Sequence, residues 1–292
     1  MLDQLKKIFP SLTHYEEMAE LPEADYQWYQ TQEGDVIGIC REELTDKDTD
    51  LLAAFLRPFD IRFPLMTETE RQWKRHIDGL STEHTVSPYR FVYFSIQKDR
   101  VEPRLFREAI HQSLARPVPI LWKNEQEGIL IEEGLVPAED SVSYEQIIDV
   151  LMSDLYVKIN FFIGPYVKET KDAGAYYGFL MNHAPSVLPY SDGSVLTFTD
   201  SIPYLLIDGA DREFLCKMPA LMLREFADDE EMLSTVRIFI ESNMNVSVAA
   251  KQLFMHRNSL QYRLDKFISR TGIDIRQFHQ AVSVYLALLA RN

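Results

Sequence analysis

The sequence of 292 residues contains only two cysteines, Cys40 and Cys216, too few for a disulfide framework or a cysteine-based zinc cluster. No stretch approaches about eighteen consecutive apolar residues, so no membrane-spanning helix is predicted. The first residues lack the apolar run of a secretory signal. The histidines are scattered without a pair at ligand spacing, and no phosphate-binding glycine loop is present. We therefore expect a cytoplasmic protein without membrane contact, metal or cofactor.

Positive charge is also scarce, because thirty basic against forty-five acidic residues give a net charge of −15. Such an excess by itself disfavours a nucleic-acid partner. The distribution is uneven, however. Residues 232–292 contain eight basic and three acidic residues, a charge of +5, so the remainder carries −20 (−15 minus +5). A basic terminal unit on an acidic body is typical of a DNA-binding domain joined to a regulatory one.

The acidic run Asp228–Glu231 stands directly before this basic segment. Negative charge at the start of a helix is favoured by the helix dipole, so we interpret the run as a solvated helix start. An acidic contact with another surface is the alternative.

Composition and periodicity divide the chain into four parts. We predict a small α+β unit over 1–66, a helical connector over 67–88, a ferredoxin-like domain over 89–215 and a helix-turn-helix domain over 228–292. The predicted fold class is therefore α+β, with an all-α C-terminal domain. In the third part, strands are predicted over 89–96, 118–122, 129–131 and 157–164, and helices over 102–115, 143–155 and 168–182. This β-α-β-β-α-β order predicts an antiparallel sheet with helices on one face.

The last segment has well-marked helix boundaries. The predicted boundary residues are Asn243 at the end of one helix, Ser247 as the cap of the next, Asn258 or Ser259 at the start of the third, Gly272 at its end, and Asp274 as the cap of the last. The last helix is predicted to contain Phe278, Val282, Leu286 and Leu289. A short helix, a tight turn and a longer helix form the helix-turn-helix arrangement.

The third helix of this segment has one apolar and one polar face. Leu260 and Leu264 are predicted to pack against the small residues Ala249 and Ala250. The polar side offers groups that contact bases or phosphates in a major groove. The predicted DNA-binding residues are His256, Arg257, Asn258, Ser259, Gln261, Tyr262, Arg263 and Lys266. For the cations the alternative is ordinary solvated helix charge, for His256 it is packing or capping, and for Tyr262 it is contact with the next helix.

The runs His256–Leu260 and Tyr262–Leu264, followed by Thr271–Asp274 at the matching distance, resemble a Fis-type helix-turn-helix. They more closely resemble the C-terminal domain of the PucR/CdaR family of bacterial transcriptional regulators. Ser259 stands where that family usually has threonine, which keeps the hydroxyl but loses a methyl contact. The resemblance implies double-stranded DNA as partner, a homodimer, regulation of a metabolic or catabolic operon, and an unidentified small-molecule effector.

The middle part resembles that family's degenerate GGDEF-like domain, a palm related to diguanylate cyclases. A cyclase needs glycines near the phosphates and carboxylates for two metals. Here the hairpin reads Asn124–Gly128 without the first glycine and the aspartate, and Ser95–Lys98 lacks the metal-binding aspartate. The sequence therefore argues against an enzyme, and Glu125 and Glu127 are interpreted as turn residues.

Two alternatives to a DNA-binding regulator stay open at this point. One is a signalling or interaction protein whose helix-turn-helix is a protein-docking surface. Steep salt dependence would separate the two, because only polyanion binding releases condensed counterions. The other is a nucleotide-handling enzyme that uses the palm, which a nucleotide-turnover assay would detect.

Overall fold

The computed structural model describes residues 2–15, 25–31, 34–81, 87–97, 101–134, 143–155, 157–191 and 193–291. Its first part is a small α+β unit. The elements are α1 (Leu2–Ile8), β1 (Thr13–His14), β2 (Tyr26–Gln30), β3 (Val36–Cys40), α2 (Asp46–Phe55) and β4 (Arg57–Pro58). The four strands form an antiparallel sheet in the order β1-β3-β2-β4. Its buried core includes Tyr29, Ile37 and Ile39 from the two central strands.

Helix α3 (Glu68–Ile77) lies in the predicted connector and is fastened to the next domain by a buried carboxylate. Thr67 and Glu70 form a capping box, in which each side chain accepts the other's backbone N–H. The Glu70 side chain also accepts hydrogen bonds from Ile120 N at 2.9 Å and from Arg107 Nη2 at 3.0 Å. One carboxylate therefore caps the start of the connector helix and anchors it on the following domain.

The middle domain contains the predicted β-α-β-β-α-β order. Its elements are β5 (Tyr89–Gln97), α4 (Pro103–Ser113), β6 (Ile120–Trp122), β7 (Glu127–Glu133), α5 (Tyr144–Leu155), β8 (Lys158–Ile163), α6 (Ala173–Val187) and β9 (Val195–Thr197). The sheet order is β6-β7-β5-β8-β9, antiparallel except that β9 runs parallel to β8. The fifth strand was not predicted.

The prediction of helices on one face only was wrong, because the sheet is covered on both sides. Side chains of a strand alternate between the faces, so Val92 and Phe94 belong to one apolar cluster and Phe91 and Tyr93 to another. Helices α4 and α5 contribute to the first cluster, and α3 and α6 contribute to the second. All of these β5 side chains are buried.

Helix α6 starts five residues after its predicted start and extends five residues beyond its predicted end. A 3-10 turn, Thr170–Asp172, precedes it, and the helix continues through Pro185. Leu180, Ala184 and Val187 are buried against the sheet. Packing of this face explains why the helix continues past its predicted end and through a proline.

Six helices form the C-terminal part: α7 (Phe198–Asp208), α8 (Arg212–Leu223), α9 (Glu230–Glu241), α10 (Val246–Gln252), α11 (Arg257–Thr271) and α12 (Phe278–Ala290). Leu223 and Phe226 share one apolar cluster with side chains of α9 to α12. The packed helical body thus reaches upstream of residue 228. Within the described ranges, none of the helices is both long and apolar enough to span a bilayer.

Of the four apolar residues predicted in the last helix, Leu289 is buried and Leu286 is half-buried, but the other two are not. Phe278 and Val282 are exposed, whereas Ala281 and Val284 are buried. Helix α12 packs on α8 as well as on α7 and α9, so its buried face is set by neighbours whose positions the spacing of α12 alone does not reveal.

Candidate DNA-binding surface

The helix-turn-helix is built on two small residues and a row of larger ones. Ala249 and Ala250 of α10 are buried, as are Leu260, Leu264 and Phe267 of α11. Alanine at the crossing allows the two helix backbones to approach closely, and the larger side chains fill the angle between them. The predicted packing of this motif is therefore observed.

The start of α10 is set by an asparagine rather than by the predicted serine. Asn243 has φ of 53° and ends α9 in a left-handed turn, as predicted. Asn245 then caps α10, because its side chain accepts the backbone N–H groups of Ser247 at 3.0 Å and Val248 at 3.2 Å. The prediction of Ser247 as cap was wrong, since the earlier side chain already satisfies these donors.

The start of α11 is set by His256. Its Nδ1 accepts a hydrogen bond from the backbone N–H of Asn258 at 3.3 Å, so the helix begins at Arg257, before the predicted Asn258 or Ser259. Because Nδ1 is the acceptor, the neutral ring carries its proton on Nε2. The capping alternative for His256 is therefore observed, and the exposed ring retains one N–H donor.

The end of α11 agrees with its predicted residue, but the start of α12 does not. Gly272 has φ of 75° and caps α11 in the left-handed conformation that glycine adopts without strain. Asp274 does not cap α12, whose N-cap is Gln277. Instead, Asp274 accepts hydrogen bonds from the backbone N and Nε of Arg276 at 3.1 Å each, which closes the loop between the helices.

The eight predicted DNA-binding residues all lie at the N-cap and in the first three turns of α11. Seven are exposed, namely His256, Arg257, Asn258, Ser259, Gln261, Tyr262 and Lys266. Tyr262 is 72% exposed, so it does not lie against the next helix. The side chain of Arg263, in contrast, is only 28% exposed.

Arg263 is held by helix α9. Its guanidinium forms an ion pair with Glu231 at 2.5 Å and a hydrogen bond from Nη1 to Thr235 Oγ1 at 3.3 Å. Within the acidic run, Asp229 caps α9 by accepting the N–H of Met232, and Glu230 pairs with Arg291. The run therefore does stabilise a helix start, as predicted, but it also makes the acidic contact that was the alternative.

A cleft of about 670 Å³ lies between the start of α9 and the exposed face of α11. It brings together five of the predicted residues, Asn258, Ser259, Tyr262, Arg263 and Lys266. The opposite rim carries Asp229 and Glu231. The cleft therefore offers hydroxyl, amide and cationic groups beside two acids, and His256, Arg257 and Gln261 lie outside it.

Three surface residues near this face were not predicted. Phe254, in the turn before α11, is 99% exposed and has φ of 53°, a conformation that costs a bulky side chain energy. Lys251, at the end of α10, is exposed and, like Arg257, has no ion pair among the residues that the structure describes. Glu231 was identified only as part of an acidic run. Of the three, only Phe254 had a sequence feature that could have identified it, an aromatic side chain in the turn between the two helices.

At the position of the cyclase motif, the described part of the palm has two acids, Glu125 and Glu127, that other protein groups bind. Glu127 accepts hydrogen bonds from Tyr93 at 2.6 Å and Asn124 at 2.8 Å, and pairs with Lys123 at 2.9 Å. Glu125 pairs with Arg62 of the N-terminal unit. Both acids are thus engaged by protein groups. Glu127 lies in strand β7 rather than in the turn where it was predicted, and Lys98 of the motif comparison lies outside the described residues.

Comparison with known proteins agrees with this geometry. Residues 232–290 match the family described as PucR C-terminal helix-turn-helix domain. The chain is 30% identical over 268 residues to the uncharacterized protein YxkF of Bacillus subtilis (strain 168), a match that covers 87% of this chain and 86% of that protein. It is 24% identical over 297 residues to a protein called leucine-rich protein in Streptococcus dysgalactiae subsp. equisimilis, covering 98% of this chain and 99% of that one.

A further match covers a much shorter segment. Over 72 residues the chain is 36% identical to the proline-responsive transcriptional activator PutR of Bacillus subtilis (strain 168), which covers 24% of this chain and 18% of that protein. The similarity to this named regulator therefore covers 24% of the chain, whereas the first two relatives match 87% and 98% of it.

Proposed function

The chain belongs to the PucR/CdaR family of bacterial transcriptional regulators, and we propose that it is a sequence-specific DNA-binding regulator of a metabolic or catabolic operon. The main support is the face of α11, where an uninterrupted polar surface lies opposite the buried Leu260 and Leu264. A helix with such a face enters a major groove with its N-terminal residues at the base edges.

We assign the contacts by chemistry. Arg257, Asn258 and Gln261 have the side chains that read guanine or adenine edges, while His256, Ser259, Tyr262 and Lys266 contact phosphates or sugars. Arg263 reaches a phosphate only when its guanidinium leaves Glu231. Lys251 joins the phosphate contacts, because it is exposed and unpaired among the described residues. Acidic residues elsewhere in the chain repel DNA and confine binding to this face.

The proposal extends to assembly and domain roles. One helix-turn-helix buries little surface on DNA, so a homodimer on two half-sites is the expected binding form. The four parts 1–66, 67–88, 89–215 and 228–292 are proposed as units, with the first and third sensing a small-molecule effector or mediating dimerisation. The site of action is the cytoplasm, where the DNA lies.

Substitution in the full-length chain tests the proposal. Arg257→Gln removes a base contact and is expected to weaken specific binding by about 1–3 kcal/mol, whereas Lys251→Gln removes a phosphate contact and lowers the salt slope by about 0.9. Lys217→Gln, an exposed lysine on α8 with its own ion pair, is the control. Fluorescence anisotropy with labelled genomic fragments measures all three.

If all three variants bind the DNA fragments with equal affinity, α11 does not contact DNA as proposed. Binding that is specific for a protein and insensitive to salt would instead favour the docking-surface alternative.

A further inference from the structure

A second cavity, of about 250 Å³, lies where the N-terminal unit, α3 and the palm meet. Four aromatic side chains line it, Phe59 and Phe63 from the N-terminal unit and Trp122 and Tyr177 from the palm. Ligand pockets in proteins combine apolar walls with a few polar groups, and drug-sized ligands take about 300–1,000 Å³. This cavity therefore fits a smaller molecule with an apolar body.

The charge of this wall is opposite to that of the whole chain. Three cationic side chains line the cavity, Lys74, Arg107 and Lys123, and no aspartate or glutamate is among its described lining residues. The chain as a whole has forty-five acidic and thirty basic residues. Each of the three cations has a carboxylate partner outside the lining, so a ligand carboxylate is attracted where it can replace that partner.

The two lysines can release their present partners for a ligand. Lys74 pairs with Asp78 and Lys123 with Glu127, each at 2.9 Å, and both lysines are about half exposed. Exposed pairs of this kind contribute little stability, so exchange of a carboxylate partner costs little. Arg107, by contrast, is fixed by the buried Glu70.

From these observations we propose that this cavity binds a small monocarboxylate with an aromatic or similarly apolar body. The ring lies among Phe59, Phe63 and Trp122, and the carboxylate is held by Lys74 and Lys123. Such a ligand contacts three segments of the chain at once and stabilises their arrangement by mass action. Binding here does not depend on the proposed DNA-binding function, and its test uses no DNA.

The probes are phenylacetate and its neutral isostere phenylacetamide, added to the full-length chain and followed by ligand-observed NMR. For a ligand of this size we expect a Kd on the order of 1 mM for phenylacetate. Phenylacetamide is expected to bind at least about fivefold more weakly, because it keeps the ring but cannot form the charge-assisted contacts. This comparison needs no variant and is independent of folding effects.

The second arm is the variant Lys74→Gln with Lys123→Gln, which is expected to weaken phenylacetate binding about fivefold or more. Lys217→Gln is the matched control, because Lys217 also pairs with an acid four residues away on its own helix. The proposal is overturned if the acid and the amide bind equally, if the double variant binds phenylacetate like the control, or if neither probe binds at about 10 mM.

Discussion

The contact between Glu231 and Arg263 predicts a substitution that strengthens DNA binding while weakening the fold slightly. Glu231 is 75% exposed and holds a guanidinium on the side of α11 that we propose to face DNA. Glu231→Gln removes one acid from the rim of the cleft and releases Arg263 toward phosphate. An exposed ion pair contributes about 0–1 kcal/mol to folding stability. A hydrogen bond to a charged group, such as a phosphate, contributes about 1.5–3 kcal/mol. The net gain in binding is therefore about 1 kcal/mol, or roughly fivefold at low salt.

The salt dependence of DNA binding gives a second quantitative prediction. One added phosphate contact steepens the slope of log K against log salt by about 0.9. Between about 50 and 200 mM salt, the variant should thus lose about 3.5-fold more affinity than the parent chain. Anisotropy titrations of the full-length chain at these two salt concentrations measure both quantities, and thermal unfolding records the small loss of stability.

Glu230→Gln is the matched control. Glu230 lies in the same helical turn, is equally exposed at 75%, and pairs with Arg291 instead of a residue of α11. It loses the same charge without releasing Arg263. If both variants steepen the slope equally, the effect is net charge alone and the reasoning about Arg263 is refuted. If Glu231→Gln weakens binding, then Glu231 positions Arg263 rather than restraining it.

Three further predictions concern stability. Because Asn245 alone caps α10, Asn245→Ala should lower the free energy of unfolding in urea by about 1 kcal/mol and Ser247→Ala by less than about 0.5 kcal/mol. A larger loss for Ser247→Ala would show that Ser247 is the cap. Arg107→Met leaves Glu70 buried without its cation and should cost about 3–5 kcal/mol by calorimetry, and a loss below about 1 kcal/mol would show that the pair is not needed. Burial raises the pKa of Tyr89 from 10.0 to about 12. The contribution of Tyr89 to stability should therefore be complete below about pH 10 and decline as the pH rises to about 12. Equal free energies of unfolding in urea at about pH 9 and pH 11 would contradict this.

The helix-turn-helix was the most predictable part of the fold, because its determinants are local. Gly272 ends α11 through its own backbone freedom, and Ala249 permits a close helix crossing through its own size. Such properties belong to single residues and can be read from the sequence directly. The caps at Asn245 and His256 were displaced from their predicted residues, because neighbouring polar side chains compete for the same backbone donors.

Features that depend on distant partners were not predictable in the same way. The pairing of Arg263 with Glu231 joins two helices, and no spacing rule relates these positions. The second covered face of the palm had a sequence indication, since the run Tyr89–Phe94 is almost continuously apolar, which is typical of a strand buried on both sides. The exposed Phe278 shows the opposite case, in which an apolar residue of a predicted helix is not buried.

Selection of genomic DNA fragments by the full-length chain, at about 50 and 200 mM salt, tests the central claim most directly. The account predicts enrichment of a small number of sequences with two related half-sites about one helical turn apart, and retention that declines with salt but stays sequence-dependent. Absence of any enriched sequence, with retention lost at the higher salt, would contradict sequence-specific DNA binding by α11.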